Sequence, residues 1–190
     1  MPAKDFLMAK MDHAFDLLDA DGDGVLTEAD HVLMGRRSAK ELNHAPGSPM
    51  EKALIDAYRS AWHQAHAHNA DSEGRVTREV YVGSVSALFA DAALTDQVCD
   101  AVLESVMGVA DVEGVGEIDP DAYRAFVLGQ SPALTRGEVD ESFRQIDRDG
   151  AGVISKTALK QAVVEYFTSS DPHAPGNWLF GRPPVAARQQ

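Results

Sequence analysis

The chain has 190 residues, enough for one compact domain or two small lobes around a buried core. Its formal net charge of −13 argues against nucleic acid or an anionic membrane as partner and favours cations. The single cysteine, Cys99, can form no intrachain disulfide, so a reducing compartment is the expectation.

From the start, Met1-Pro2-Ala3-Lys4-Asp5 leads directly into an amphipathic pattern, with no apolar leader, no spanning segment and no glycine at position 2 for acylation. A soluble, cytoplasmic monomer is expected. Leu7, Met11, Ala14, Phe15 and Leu18 recur at three- and four-residue steps and predict one apolar helix face. That face ends at Asp19-Ala20-Asp21-Gly22-Asp23-Gly24-Val25-Leu26-Thr27-Glu28-Ala29-Asp30. Counted from Asp19, carboxylates stand at positions 1, 3, 5 and 12, glycine at 6 and a hydroxyl at 9. This is the spacing at which a loop wraps one hard cation in oxygens. Asp19, Asp21 and Asp23 converge, Gly24 takes the positive φ of the sharp turn, and the Val25 carbonyl faces inward. Thr27 reaches the ion directly or through water, and Asp30 closes the far side. The stretch reads as an EF-hand loop for Ca²⁺, with Mg²⁺ possible at the same site because Asp30 is one methylene shorter than the usual glutamate.

Three weaker copies follow at fixed offsets. The second is 69–80, the third 111–122 and the fourth 147–158, so the starts lie 50, 42 and 36 residues apart. Each keeps glycine at position 6 (Gly74, Gly116, Gly152) and an apolar residue at position 8 (Val76, Ile118, Ile154). Position 8 predicts pairing: Leu26 with Val76, and Ile118 with Ile154, in short antiparallel bridges. Between the loops, Ser48-Pro49-Met50-Glu51 and Thr135-Arg136-Gly137-Glu138 read as capping boxes. Thr95 is placed just before a helix carrying Val98, Val102, Val106 and Val109; Asp119-Pro120 opens another, and Ser155 caps the last. From Asp171 the tail is rich in proline and glycine, but Trp178-Leu179-Phe180 is too apolar for a free end and is expected to dock on the helices.

The fold expected is all-α: two lobes of paired helix-loop-helix units packed into one compact unit, with an irregular tail against the helices. The divisions are 1–92 (loops 19–30 and 69–80), 93–170 (loops 111–122 and 147–158) and the tail 171–190. The chain resembles the calerythrin and sarcoplasmic calcium-binding-protein group of four-EF-hand proteins, the bacterial type above all, over Leu7 to Phe167. Its tail, Asp171 to Gly181, looks like the ending of some bacterial relatives. The resemblance implies Ca²⁺ binding as a buffer or signal-responsive protein, usually through more than one working loop.

Here the chain departs from the group. Loop two has Asn69 at position 1 and Val80 at position 12; loop three has Val115 and Ala122 at positions 5 and 12; loop four has Ala151 and Ala158 there. Without the closing carboxylate each loses charge and one or two ligands, leaving loop one as the working site. A single site has little buffering capacity and favours a sensor. The alternative is an EF-hand scaffold converted to hold, or act on, a hydrophobic small molecule in its interior, as luciferin-binding and photoprotein members do. A target-peptide binder, with the tail in its own groove, is a third reading.

The remaining candidates are weaker. His63, His66 and His68 cluster before loop two; His63 and His66 are a turn apart and could share Zn²⁺, but a polar helix end is the expectation. Tyr58, Trp62, Tyr81, Phe89, Tyr123 and Phe126 are expected in the core rather than around a pocket. Cys99 is expected buried. There is no nucleophile elbow, phosphate loop or dinucleotide fingerprint, so a binding protein is expected rather than an enzyme.

Overall fold

The structure is a computed structural model and describes residues 3–110 and 116–183. Among these, eight α-helices alternate with four two-residue strands: α1 (Ala3–Leu18), β1 (Val25–Leu26), α2 (Glu28–Glu41), α3 (Pro49–Ala65), β2 (Val76–Thr77), α4 (Arg78–Ala90), α5 (Ala92–Ala110), β3 (Glu117–Ile118), α6 (Pro120–Gln130), α7 (Arg136–Ile146), β4 (Ile154–Ser155) and α8 (Lys156–Thr168). The fold is all-α, in two helix-loop-helix pairs. β1 pairs with β2 and β3 with β4, both antiparallel, with Leu26 opposite Val76 and Ile118 opposite Ile154. All four of those side chains are buried, so position 8 anchors each loop pair in the core.

The helix starts follow from local hydrogen bonding. Thr27 accepts from the Ala29 amide while the Asp30 carboxylate reaches back to the Thr27 amide, a reciprocal cap that holds α2 to loop one. The expected box at Thr135 and Glu138 forms on α7, and Ser155 caps α8 through the Ala158 amide. Asp119 caps α6 through the Ala122 amide. The box expected at Ser48 is only half made: Ser48 accepts from the Glu51 amide, but the Glu51 carboxylate turns back to the Gly47 amide instead. Thr95 does not precede its helix. α5 begins at Ala92, where the Asp91 carboxylate takes the Ala93 and Leu94 amides, and the Thr95 hydroxyl donates to the Leu88 carbonyl, tying α4 to α5.

The two pairs pack through α2 against α6 and α3 against α5, with α1 resting on α4 and α8. The tail docks as expected. Leu179 is fully buried, its carbonyl accepting from the Tyr123 hydroxyl at 3.0 Å, and the Trp178 carbonyl accepts from Ser142. Lys10, itself buried, donates to the Ser169 carbonyl at 2.7 Å and to Asn177 Oδ1 at 2.8 Å, pinning the tail to α1. Burial, partly offset by the Glu165 charge, pushes the Lys10 ammonium down to about 8.

Two helical glycines answer to opposite forces. A methyl group at Gly35, on α2, would stand 2.9 Å from the Ile55 Cα of α3, whereas at Gly83, inside α4, it would meet open space. Gly35→Ala is therefore expected to lower stability by about 1–3 kcal/mol, because overpacking against backbone outweighs the better helix propensity. Gly83→Ala should raise it by about 0.5–1 kcal/mol. Thermal melts of the two variants check the sign of each.

Candidate functional site

Loop one is built by its own backbone amides. Asp19 Oδ1 accepts from the Gly22 and Asp23 amides at 3.0 and 3.1 Å, and Oδ2 accepts from Gly24 at 2.9 Å. Asp21 Oδ1 takes the Asp23 amide, and Asp23 Oδ1 takes Val25. Gly22 and Gly24 both carry positive φ, 77° and 89°, which lets the amides turn inward. The result brings Asp19, Asp21 and Asp23 together, each offering one oxygen within 4.8 Å of the others. It is the one such group of acidic, histidine or cysteine side chains among the described residues. Three carboxylates at that spacing repel unless a cation lies between them, and an all-oxygen set suits a hard divalent ion.

Asp30 sits apart from that trio. Its Oδ1 accepts from the Ala20 and Asp21 amides at 3.0 and 3.3 Å, and its Oδ2 from the Thr27 amide and hydroxyl at 2.8 and 2.9 Å. The carboxylate is thus buried and held beneath the loop by four hydrogen bonds, at the start of α2. The shorter side chain serves first as a cap, and its oxygens are available to an ion only as those bonds are exchanged.

The other loops keep the turn with a different charge. In loop four, Asp147 accepts from the Ala151 and Gly152 amides at 3.0 and 2.9 Å, as Asp19 does in loop one, but the alanines at positions 5 and 12 bring no oxygen. In loop two a cation is already supplied by the chain. Arg75, at position 7, places Nε and Nη2 each 3.1 Å from Asp71 Oδ2 and its Nη1 2.8 Å from Glu73. Its spacing of four residues from Asp71 is the signal in the sequence for this pair. Of loop three, Asp111, Glu113 and Val115 lie outside the described residues, while Gly116 carries the positive φ of its turn.

Between the helices lies a cavity of about 450 Å³. Trp62 and Tyr123 are core as expected, Tyr58 and Tyr81 are buried but also border the cavity, and the partly buried Phe89 and Phe126 line it, so the aromatic set is more than core packing. The histidine cluster also separates. His63 is exposed on α3, 3.4 Å from Glu28, and His68 is exposed beyond the helix end. His66 instead turns inward, its ring within 5.6–5.9 Å of the rings of His31, Trp62 and Tyr81. The polar helix end expected for all three holds for two. His31 was missed, although His31, Met34 and Ser38 share one face of α2 at i, i+3 and i+7. Its Nδ1 donates to the Thr27 carbonyl at 3.3 Å.

Burial keeps both imidazoles neutral. Desolvation, reinforced by the neighbouring His31 and His68 rings, pushes His66 down to about 3. Desolvation pushes His31 down to about 4, against the Thr27 carbonyl and the Asp30 charge. Cys99 is buried as expected, and desolvation raises its thiol to about 11, far from a thiolate nucleophile.

Comparison with known proteins matches this architecture. The EF-hand family model matches residues 11–29 and 139–163, the regions of loops one and four. Calerythrin of Saccharopolyspora erythraea is 26% identical over 155 residues, spanning 80% of this chain and 86% of that protein. The structure of a coelenterazine-binding protein from Renilla muelleri, in its calcium-loaded apo form, superposes with a TM-score of 0.80 at 18% identity, covering 94% of this chain and 97% of that one. A Streptomyces coelicolor calcium-binding protein gives 0.67 at 23% identity, covering 84% and 96%.

Fold and loops together define a four-EF-hand protein. Within that class the chain is similar to calerythrin and to sarcoplasmic calcium-binding proteins.

The neutral His66 has a consequence for acid stability. Its folded value lies below its unfolded one, so below about pH 6.5 the unfolded chain takes up a proton that the fold refuses, and stability falls as pH drops from there towards 3. Between pH 7 and 5 the protein is expected to lose up to about 2 kcal/mol more than His66→Phe does. Denaturant unfolding of both proteins at the two pH values measures the difference.

Proposed function

We propose that the chain binds one Ca²⁺ in loop one and works as a sensor, with Asp19, Asp21 and Asp23, the Val25 carbonyl, Thr27 and Asp30 as the ligand set. The convergence of three carboxylates carries this reading, because no ion pair to them is found among the described residues. Binding draws Asp30 out of its hydrogen bonds beneath the loop and so acts on the first turn of α2. The shorter carboxylate at position 12 lowers discrimination against Mg²⁺. The relative from Streptomyces coelicolor, described as serving calcium-mediated regulation, supports a signalling role over storage. The division into 1–92 and 93–170 follows the loop pairing, and a monomer in the cytoplasm fits the acidic surface.

Calorimetry should give about one Ca²⁺ per chain, with heat lost in Asp30→Ala. Because Asp30 also caps α2, Asp23→Asn serves as the second variant: it leaves the cap intact and should weaken Ca²⁺ binding at least 10-fold. Asp30→Glu should tighten Ca²⁺ and widen its margin over Mg²⁺. Three or four sites, or an unchanged titration in both loss variants, defeats the assignment.

A second reading, that the interior holds a hydrophobic small molecule, is favoured by the 450 Å³ cavity, within the range of ordinary ligand sites. Retaining an apolar space of that size costs stability, which a core selected for packing alone would recover by filling it. The likeness to the coelenterazine-binding protein supports the same reading. Nile red should bind once per chain with enhanced fluorescence, and Val163→Trp, which fills the cavity from α8, should abolish the signal while leaving helicity unchanged.

A further inference from the structure

The cavity is not uniform, and its chemistry selects among ligands. Among the described residues, no aspartate, glutamate, lysine or arginine lines it. A ligand carrying a full charge would lose its hydration and meet no counter-ion, a penalty of several kcal/mol in such surroundings. The His66 imidazole, packed among the His31, Trp62 and Tyr81 rings, offers no compensating charge, since burial keeps it neutral through the physiological range. A carboxylate or amine ligand therefore meets no aspartate, glutamate, lysine or arginine on the described wall.

Polar groups are nevertheless present, gathered at one end. The Tyr81 side chain is almost fully buried, yet its hydroxyl has no hydrogen-bond partner among the described residues. The His66 ring, 5.6 Å from that of Tyr81, likewise has ring contacts but no hydrogen bond. By contrast, the Tyr58 hydroxyl on the same cavity is engaged with Ser38 at 3.0 Å, and His31 with Thr27. A phenol and an imidazole that border an apolar cavity without a protein partner leave hydrogen-bonding capacity facing it. An incoming donor or acceptor that pairs with them uses that capacity.

Much of the rest of the wall is aliphatic, but four phenylalanines stand in it. Phe89 and Phe167 stack at 4.8 Å between centroids, and Phe126 and Phe180 lie 6.4 Å apart. Rings on these walls favour a planar guest by offset or edge contacts.

Resting on the cavity reading above, we infer that the interior site takes an uncharged, planar aromatic molecule bearing a hydroxyl or carbonyl group, which hydrogen-bonds to His66 and Tyr81 while its rings lie among Phe89, Phe126 and Phe167. His66 and Tyr81 are the specificity-determining pair. Their role is to reward a neutral polar handle, and the absence of charge on the wall excludes an ionised one.

A matched series of probes tests this by fluorescence titration at pH 7: pyrene, 1-hydroxypyrene and 1-pyrenecarboxylate. One site per chain is expected, with 1-hydroxypyrene about 3–10-fold tighter than pyrene, the gain of one net hydrogen bond. The carboxylate should bind at least 10-fold more weakly than 1-hydroxypyrene. Tyr81→Phe and His66→Phe should each bring 1-hydroxypyrene close to the affinity of pyrene while leaving pyrene itself unchanged, which a merely structural role would not do. Equal binding of all three probes, or a preference for 1-hydroxypyrene that survives both variants, overturns the inference and leaves the cavity reading standing. Failure of pyrene and 1-hydroxypyrene to bind at all overturns the cavity reading as well.

Discussion

The loops depend on a carboxylate that gathers backbone amides. A twelve-residue turn between two helices points several N–H groups inward, and each needs an acceptor. In loop one Asp19 takes three of them, in loop four Asp147 takes two, and in loop two Asp71 takes the Glu73 and Arg75 amides in the same manner. These bonds set the turn, the positive-φ glycine permits it, and the residue at position 8 fastens it to its partner strand. None of them involves an ion. Shape and affinity are thus carried by different positions: shape by 1 or 3, 6 and 8, affinity by the added oxygens at 5 and 12. That separation explains how a loop can lose its closing acid and keep its fold. In loop two the residual negative charge is met by Arg75, a fixed cation on an exposed surface, where it needs only modest energy to keep the turn quiet.

Four turns that hold themselves together free the interior from serving them. Position-8 residues and buried faces of α1, α6 and α7 supply a conventional core, while residues of α1 to α6 and α8 also border the cavity. The tail completes the enclosure: Leu179 and Phe180 form part of the wall, and Lys10, Tyr123 and Ser142 hold that segment through hydrogen bonds to or around it. On a wall this apolar, the few polar groups that lack a protein partner decide which guests are rewarded.

Much of the architecture was written in local pattern. Loop positions, strand register and most helix starts are consequences of spacing within a dozen residues, and the docking of Trp178-Leu179-Phe180 followed from apolarity alone. Where a start was misplaced, two residues competed for one job: Asp91 and Thr95 both suit a cap, and the carboxylate took the amides. The cavity was not legible for a deeper reason. Periodicity tells which side chains face inward, not whether the inward faces meet, so Tyr58, Tyr81, Phe89 and Phe126 read the same whether they fill a core or line a space. His66 and His63 look alike in sequence, and only the turn of the chain at the end of α3 sends one in and leaves the other out. Loop two read as a weakened ion site because a ligand count overlooks a cation contributed by the chain itself.

The two candidate sites share one mechanical element. Asp30 lies in the first turn of α2, its carboxylate bonded to Ala20, Asp21 and Thr27 of the loop. The next residue, His31, faces the cavity, and Met34 follows it one turn on. The Thr27 carbonyl that accepts from His31 belongs to the residue whose amide and hydroxyl hold Asp30. No independent segment separates the ion loop from the interior wall. A cation that withdraws Asp30 from its hydrogen bonds therefore acts on the same turn that positions an imidazole over the cavity, and by linkage whatever occupies the cavity acts back on the loop with the same free energy.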